Sequence, residues 1–486
     1  MLQPDICQRA VHARDARFDG IFFVGITTTR VYCRPVCPAR VSYPERRRFF
    51  DSAASAERAG YRPCLRCRPE LAPGRALMDA VPRLARLAAQ RIGAGALNGN
   101  SVAGLARELG VSERHLRRAL ERELGVSPAE LAQTHRLLLA KRLLAETSLP
   151  VTRIAFASGF QSLRRFNSVF RERYRLSPSA LRRAAPSTVA RPAAPSGDFV
   201  TLTLAYRAPL DWGLLTRLLA REAMPGVIMV DGDRYGRTVT LDGRSGVVLA
   251  RNAAAKAQLD VAVSLSLLPV LMPLLVRLRQ LFDLDAEPAV VDAYLGQNGL
   301  APLVRRRPGI RIPGALEGFE VALRSLILGA NGREAAGDLL SRVVGALGEE
   351  IDTGVPALTR LVPSPERLAE VGPSGLAALG VPRRGAEAIT SVARAIAGGA
   401  IRLEPGRDAG ATQRALMEME GVGERLATMI VMRALYWPDA FPASDPALQR
   451  AAGASSRSAL RAMAERWRPW RAYAAQHLWL YDEERL

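Results

Sequence analysis

Four cysteines near the N-terminus constrain this chain more than any other feature of its sequence. Cys33 and Cys37 form a C-x3-C pair, Cys64 and Cys67 form a C-x2-C pair, and 26 residues separate the two pairs. Each pair on a tight turn can present two thiolates to one metal ion without strain, so this spacing is a strong indication of zinc. The chain has five cysteines, and an odd number favours metal binding over disulfides. We therefore predict one Zn²⁺ held by four cysteines, a type of site that is most often structural.

Positive charge is concentrated in the same part of the chain. Residues 1–190 contain 33 lysines and arginines against 15 aspartates and glutamates, whereas the remaining residues contain 35 against 32. A compositional bias of the genome would spread evenly along the chain, and this excess does not. The N-terminal part is therefore predicted to bind a polyanion, for which a nucleic acid is the natural candidate.

No stretch of the sequence is typical of a membrane segment or of a secretory signal. The most apolar run, residues 261–276, has 16 residues and contains Pro269 and Pro273, which is short for a membrane span. The first 20 residues lack the apolar segment of a signal peptide. We expect a bacterial-type, DNA-associated cytoplasmic protein without a membrane partner, in which residues 261–276 belong to a buried core.

The 486 residues are too many for one hydrophobic core, and their pattern changes several times along the chain. Residues 1–78 are rich in turns, residues 82–184 are helical, and residues 185–197 form a linker of Pro, Ala and Ser. Strand-like alternation with an Asp-Gly hairpin signal marks residues 198–312, and helical patterns fill residues 313–486. The predicted fold class is multidomain and mainly α: a small four-cysteine zinc domain, an all-α domain, an α+β domain and a second all-α domain.

The first helical module contains an internal near-repeat. Residues 105–128 and 154–178 each hold a glycine, Gly110 or Gly159, that is followed by an Arg-rich helix and a Ser-Pro pair. Such a glycine permits the tight turn of a helix-turn-helix unit, whose second helix can enter a DNA major groove. One copy would indicate only an ordinary helix pair with a solvated face, but two copies in the charge-rich half favour DNA binding, and the module resembles the AraC-type regulators, which carry two such units. The candidate DNA contacts are Arg114, Arg117, Arg118, Arg164, Arg165 and Asn167.

The residues that flank the cysteines resemble one family. The stretches VYCRPVCPAR and YRPCLRCRPE, within residues 5–72, are similar to the N-terminal domain of Ada-type adaptive-response proteins. The resemblance implies that zinc activates one ligand cysteine, by motif position Cys33, to accept a methyl group from a DNA methylphosphotriester. The transfer removes one negative charge from the site and so tightens DNA binding, with Arg34 and Arg40 as candidate contacts. The Pro-Cys-His-Arg motif of the second methyltransferase domain in many Ada proteins is absent.

In the C-terminal half, a Gly-Val-Gly turn from Gly421 to Gly423 lies between two helical patterns, and Asp445 follows 22 residues later. The turn can offer backbone N–H groups to a DNA phosphate, whereas an aspartate before a proline is ordinarily a helix cap. Residues 199–482, including APLDWGLLTRLLARE and RWRPWRAYAAQHLW, resemble AlkA-type 3-methyladenine DNA glycosylases of the helix-hairpin-helix superfamily. The resemblance implies an α+β N-terminal domain, an all-α glycosylase domain, and a catalytic role for Asp445, whose carboxylate would stabilise positive charge on the sugar of a flipped nucleotide.

Two positions depart from that family. Bifunctional relatives place a nucleophilic lysine where this chain has Arg425, which cannot lose its proton to attack, so the sequence predicts a monofunctional glycosylase. The wedge candidate, at a position where an apolar side chain usually enters the duplex, is the polar Asn331.

Together these features predict a DNA alkylation-damage response protein with three activities. They are methyl transfer from DNA methylphosphotriesters to a zinc-bound cysteine, sequence-specific transcription activation, and excision of alkylated bases such as 3-methyladenine. Double-stranded DNA is the expected partner, and RNA polymerase is the expected partner of the activator. Two alternatives stay open: a DNA-binding transcription regulator whose glycosylase half is degenerate and non-catalytic, and a zinc-stabilised DNA-binding protein without methyl chemistry.

Overall fold

The computed structural model describes residues 2–39, 43–74, 83–184, 198–221, 223–404 and 406–485, without the side chains of residues 83 and 330–335. By its internal contacts the chain divides into two compact units. The first unit contains Met1–Arg207, Ala253–Val276 and Leu284–Ala286, and the second contains Ala208–Asn252, Arg277–Asp283 and Glu287–Leu486. The linker predicted at 185–197 lies outside the described residues, and the module boundaries inferred from the sequence stay predictions.

Where the structure describes it, the cysteine-rich part of the first unit is a small sheet with two α-helices. Its elements are α1 (Pro4–Ala13), β1 (Phe23–Ile26), β2 (Val31–Cys33), β3 (Arg47–Phe50), α2 (Ala53–Arg58) and β4 (Arg62–Pro63). The strand order is β3-β1-β2-β4, and β1 pairs antiparallel with both of its neighbours. Strands β2 and β4 run parallel, with Tyr32 opposite Pro63. Because of this register, Cys33 and Cys64 lie side by side at the same end of the two strands.

Seven helices follow within residues 83–184, which the structure describes. They are α3 (Arg83–Gly93), α4 (Val102–Glu108), α5 (Glu113–Leu124), α6 (Pro128–Glu146), α7 (Val151–Ala157), α8 (Leu163–Tyr174) and α9 (Pro178–Ala184). Gly110, between α4 and α5, has a φ of 70°, and Gly159, between α7 and α8, has a φ of 86°. These left-handed conformations favour glycine, so the two predicted helix-turn-helix turns are present in the structure. The buried apolar faces of α5 and α8 consist of Leu116, Leu120, Phe166, Val169 and Phe170.

The described residues of the α+β region form five strands and one α-helix. They are β5 (Phe199–Ala205), α10 (Trp212–Ala220), β6 (Ile228–Asp231), β7 (Arg234–Leu241), β8 (Arg244–Ala253) and β9 (Gln258–Ser264). Strands β5 and β9 pair antiparallel, and β6, β7 and β8 form an antiparallel meander. The predicted Asp-Gly hairpin is confirmed, because Asp242 and Gly243 both have positive φ values and join paired residues of β7 and β8.

The rest of the chain is helical. It contains α11 (Leu271–Leu281), α12 (Pro288–Leu295), α13 (Ala301–Arg306), α14 (Gly318–Leu347), α15 (Pro365–Ala378), α16 (Arg383–Ala397), α17 (Ala409–Met417), α18 (Glu424–Ala434), α19 (Pro446–Ala451), α20 (Arg457–Ala464) and α21 (Arg471–Arg485). The apolar run at 261–276 is largely buried, as predicted, with Val261, Leu271 and Leu274 fully enclosed. Among the described residues, no helix is both long and apolar enough to span a membrane.

Candidate functional site

The four cysteines of the two motifs meet at one point of the first unit. Their Sγ atoms all lie within 4.8 Å of one another, and Cys33, Cys64 and Cys67 are buried while Cys37 is half-buried. A tetrahedral zinc with Zn–S bonds of about 2.3 Å requires sulfur–sulfur separations of about 3.8 Å. The donor set and the size of the cluster therefore fit one Zn²⁺, as the spacing predicts.

Local backbone geometry prepares these sulfurs to carry negative charge. The backbone N–H of Arg34 donates to Cys67 Sγ at 3.4 Å, and the backbone N–H of Arg66 donates to Cys64 Sγ at 3.4 Å. Hydrogen bonds among the four sulfurs lower the pKa of the Cys64 thiol and raise that of Cys33, so these contacts alone do not make every sulfur a thiolate. Hydrogen bonds to the charged form favour the thiolate, which is the form that binds metal and attacks carbon.

The two arginines predicted to contact DNA beside the cysteines differ in what the structure describes. Arg34 Nε donates to Asp19 Oδ1 at 2.8 Å, and Arg34 Nη1 donates to the Cys67 carbonyl at 3.2 Å. Its side chain is 16% exposed, which is typical of a residue that fixes the two cysteine turns against each other. Arg40 lies outside the described residues. The DNA contacts of both arginines stay predictions.

The predicted DNA contacts of the helix-turn-helix units are exposed at the starts of α5 and α8. Ser112 and Ser162 cap these helices, because each side chain accepts a hydrogen bond from a backbone N–H of the first turn. The exposed members are Arg114, Arg117, Arg118, Arg164 and Arg165, and Asn167 is half-buried. His115 and Gln161 are also exposed beside them, and the sequence analysis did not single these two residues out.

In the second unit, the Gly-Val-Gly turn joins α17 to α18. Gly421 has a φ of 81°, and a Cβ atom there would lie 2.8 Å from the Cβ of Ala388 in α16, so this position requires glycine. Val422 is buried, and Gly423 is the N-cap of α18 with no atom within 4 Å of the position of a Cβ. The backbone of Gly423 is therefore open to close approach, as a phosphate contact requires.

Asp445 is the N-cap of α19. Its Oδ1 accepts hydrogen bonds from the backbone N–H groups of Ala447 at 2.9 Å and Leu448 at 3.4 Å. Its Oδ2 accepts a hydrogen bond from Arg425 Nη1 at 3.2 Å. The side chain of Asp445 is 10% exposed, so the helix-cap interpretation is correct for one oxygen while the other faces a charged partner.

The pairing of Arg425 with Asp445 was not evident from the sequence. In the sequence, Arg425 is notable only because it stands where bifunctional relatives have a lysine. It lies 20 residues before Asp445, so no local pattern links the two. The wedge candidate Asn331 lies within α14, but its side chain lies outside the described part of the chain.

Comparison with known families assigns three regions of the chain. Residues 6–70 match the metal binding domain of Ada, residues 105–184 match a helix-turn-helix domain, and residues 201–317 match the AlkA N-terminal domain. The predicted fold class, mainly helical with a four-cysteine cluster and a sheet-containing region, is confirmed by these matches.

Comparison with individual proteins extends the likeness to the whole chain. A "probable bifunctional transcriptional activator/DNA repair enzyme AlkA" of Mycobacterium tuberculosis is 38% identical over 482 residues, which cover 97% of this chain and 95% of that protein. "DNA-3-methyladenine glycosylase 2" of Escherichia coli is 31% identical over 277 residues, or 57% of this chain and 96% of that protein. A solved "3-methyladenine DNA-glycosylase" from Archaeoglobus fulgidus superposes on 58% of this chain and 98% of its own, with a TM-score of 0.50 and 21% identity, which indicates a shared fold.

Proposed function

Because the chain belongs to the family of bifunctional transcriptional activators and DNA repair enzymes of the AlkA type, we propose that Cys33 and Asp445 carry its two chemical activities. The family combines an Ada-type metal-binding domain, a helix-turn-helix domain and an AlkA-type glycosylase, and all three are present in this chain. The protein is therefore a 3-methyladenine DNA glycosylase that also accepts methyl groups on a cysteine.

The four-sulfur cluster is the observation that supports methyl transfer. Zinc held by Cys33, Cys37, Cys64 and Cys67 would keep their sulfurs deprotonated at neutral pH. The Cys33 thiolate attacks the methyl carbon of a DNA methylphosphotriester, the carbon–oxygen bond breaks, and its electron pair stays on the phosphate oxygen. The products are a cysteine thioether and an ordinary phosphodiester anion. The backbone N–H groups of Arg34 and Arg66 donate to Cys67 and Cys64, two of the sulfurs that would hold the zinc together with Cys33.

The acceptor can be identified on the unaltered protein. The full chain, loaded with zinc, is incubated with DNA that carries a methylphosphotriester, and its cysteine peptides are then mapped by mass spectrometry. We expect one added methyl group, on Cys33. A methyl group found on half-buried Cys37 instead would overturn the assignment, and no methyl group on any cysteine would favour a zinc site that is only structural.

For base excision, the observation that matters is that Asp445 uses only one carboxylate oxygen as a helix cap. The second oxygen, Oδ2, is not bound to the helix; it accepts a hydrogen bond from Arg425 and can stabilise positive charge on the sugar as the glycosidic bond breaks. The chain has two lysines, Lys141 and Lys256, and neither lies in the helical region that contains Asp445. We therefore propose that the product is an intact strand with an abasic site.

The variant Asp445→Asn tests this role. Asparagine is as good an N-cap as aspartate, so the change removes the charge and keeps the fold of α19. We expect release of 3-methyladenine to fall by about 10²–10³-fold, with duplex binding and thermal unfolding unchanged. Release at the wild-type rate would contradict the assignment, and no release by the wild type would favour the degenerate regulator.

We also propose that the activator function involves RNA polymerase. Loss of one negative charge on methylation weakens repulsion from promoter phosphates, so methylated protein should bind its promoter more tightly, most clearly at moderate salt. In transcription with purified RNA polymerase, the methylated full chain should therefore activate at lower concentration than the unmethylated chain. Equal activation curves for the two forms would contradict the switch.

A further inference from the structure

Arg425 holds the one carboxylate oxygen that Asp445 does not use as a helix cap. Arg425 is the second residue of α18, directly after the glycine turn, and its Nη1 lies 3.2 Å from Asp445 Oδ2. A unit positive charge at this distance offsets the negative charge of Asp445 at the position where a reacting sugar must approach.

The surroundings leave Arg425 with no competing anion in the described part of the chain. The adjacent Glu424 pairs with Arg457 and Arg461, and the nearby Arg450 is held by Asp482 at 2.7 Å. The side chain of Arg425 is 45% exposed, and a guanidinium has five N–H donors, of which one is engaged here with Asp445. The charge of Arg425 is thus directed toward Asp445 and toward solvent.

The charge of the departing base decides how such a cation acts. When the C1′–N bond breaks, its electron pair goes to the base, and a water oxygen then bonds to C1′ and loses a proton. A cationic methylated base becomes neutral, and the proton goes to solvent. A neutral lesion base gains negative charge in the same step and then takes up a proton. A fixed cation therefore repels the first kind of base on entry and stabilises the second kind on departure.

We propose that Arg425 sets lesion preference, by lowering excision of cationic alkylated bases relative to neutral damaged bases. The inference rests on the catalytic role proposed above for Asp445. Arg425 changes the relative excision rates of the two classes of lesion. Asp445 raises the excision rate of both classes, because positive charge develops on the sugar in each reaction.

The test compares two purine lesions in the same duplex, cationic 7-methylguanine and neutral hypoxanthine. Arg425→Met removes the charge and keeps much of the side-chain length. Its ratio of kcat/KM for 7-methylguanine over hypoxanthine should exceed the wild-type ratio by about tenfold. Arg461→Met removes an exposed arginine from the neighbouring α20, where it pairs with Glu424, and is the matched control.

The outcomes separate this inference from the proposed function. A ratio in Arg425→Met that equals the wild-type ratio overturns the role of Arg425, even where Asp445→Asn is slow on both lesions. If Asp445→Asn excises both lesions at the wild-type rate, the proposed catalytic role fails first and the inference falls with it. Thermal unfolding of each variant checks the fold. If Arg425→Met does not fold, Arg425→Gln provides the same charge removal.

Discussion

Asp283 carries a fully buried carboxyl group whose partners are neutral hydrogen-bond donors. It accepts hydrogen bonds from the Tyr473 hydroxyl at 2.9 Å, the Ile312 backbone N–H at 3.1 Å, and the Tyr436 hydroxyl. Burial raises the pKa of Asp283 from 3.8 to about 6, against the opposing charge of buried Arg311. In the folded protein this carboxyl group therefore takes up a proton at a higher pH than in the unfolded chain.

This raised pKa predicts how the stability of the second unit depends on pH. Between about pH 4 and pH 6 the native state binds more protons at Asp283 than the unfolded state, so its contribution to the free energy of unfolding falls as pH rises and stays low above pH 6. The variant Asp283→Asn removes this titration. The difference in free energy of unfolding, Asp283→Asn minus wild type, should therefore rise by at most about 3 kcal/mol between pH 4 and pH 6.

Urea unfolding at a series of pH values measures the difference. Asp242→Asn, which removes a carboxyl group from an exposed hairpin turn, is the matched control. A stability difference between Asp283→Asn and wild type that stays constant from pH 4 to pH 7 would contradict the prediction.

At the scale of single residues, the sequence predicted the metal site better than the base-excision site. Two closely spaced cysteine pairs in one short segment are typical of ligands to a single zinc ion, so the sequence alone indicates that these four side chains come together. The partner of Asp445 is an arginine 20 residues away, and its position depends on how α18 and α19 pack. No local spacing encodes such a contact, so only the family resemblance indicated that Asp445 was more than a cap.

The two helix-turn-helix elements offer a matched pair of glycines. Both Gly110 and Gly159 have positive φ, but a Cβ at Gly110 would meet no atom within 4 Å, whereas a Cβ at Gly159 would lie 2.3 Å from the side-chain amide of Asn98. That amide cannot move freely, because its oxygen accepts a hydrogen bond from Arg136 Nε at 2.8 Å.

The difference predicts unequal costs of alanine substitution. Gly110→Ala should cost about 1–2 kcal/mol, the strain of a left-handed alanine. Gly159→Ala has the same strain and also clashes with Asn98, whose amide would lose its hydrogen bond with Arg136. The free energy of unfolding of Gly159→Ala should therefore fall by about 1 kcal/mol more than that of Gly110→Ala. Equal destabilisation of the two variants, measured by urea unfolding of the zinc-loaded protein, would contradict this account of the second turn.

Sequence patterns predicted elements well where a turn residue or a period fixed them. The glycine turns and the Asp-Gly hairpin are both confirmed. The Ser-Pro pair at the end of each near-repeat begins the next helix, since Ser127 caps α6 and Ser177 caps α9. The two-residue strand β4 and its parallel pairing with β2 gave no signal, because two residues cannot show alternation and a parallel partner is remote in sequence.

At the scale of the whole molecule, buried charges explain why the zinc module and the helix-turn-helix module form one compact unit. Lys141 of α6 is 3% exposed, donates to the carbonyl of Cys64 at 3.2 Å, and forms an ion pair with Glu70. Arg68 bridges Glu70 and Glu146 with hydrogen bonds of 3.0 and 2.9 Å. Composition separated the two modules at the region around residue 80. It contained no pattern that indicated the contacts of Lys141 with Cys64 and Glu70 or of Arg68 with Glu146, which join residues more than 70 positions apart.

This network predicts that the metal site supports the DNA-binding helices through Lys141. Removing one partner of a buried ion pair costs about 3–5 kcal/mol, because the other charge stays buried. Lys141→Met leaves Glu70 with Arg68 alone, so we expect a loss near the lower end, about 3 kcal/mol, in the unfolding of the zinc-loaded first unit. Lys256, the chain's only other lysine, is exposed, so the stability of Lys256→Met should match that of the wild type.

Hydrogen exchange of α6 tests whether the contact also transmits the state of the metal site. Because the carbonyl of the zinc ligand Cys64 accepts from Lys141, removal of zinc by a chelator should loosen that loop and speed amide exchange across residues 131–146 in the wild type. In Lys141→Met the exchange of α6 should already be faster with zinc bound, and chelation should change it less. If chelation accelerates α6 equally in Lys141→Met and Lys256→Met, the zinc site reaches the helix by another route and Lys141 is only a local ion-pair partner.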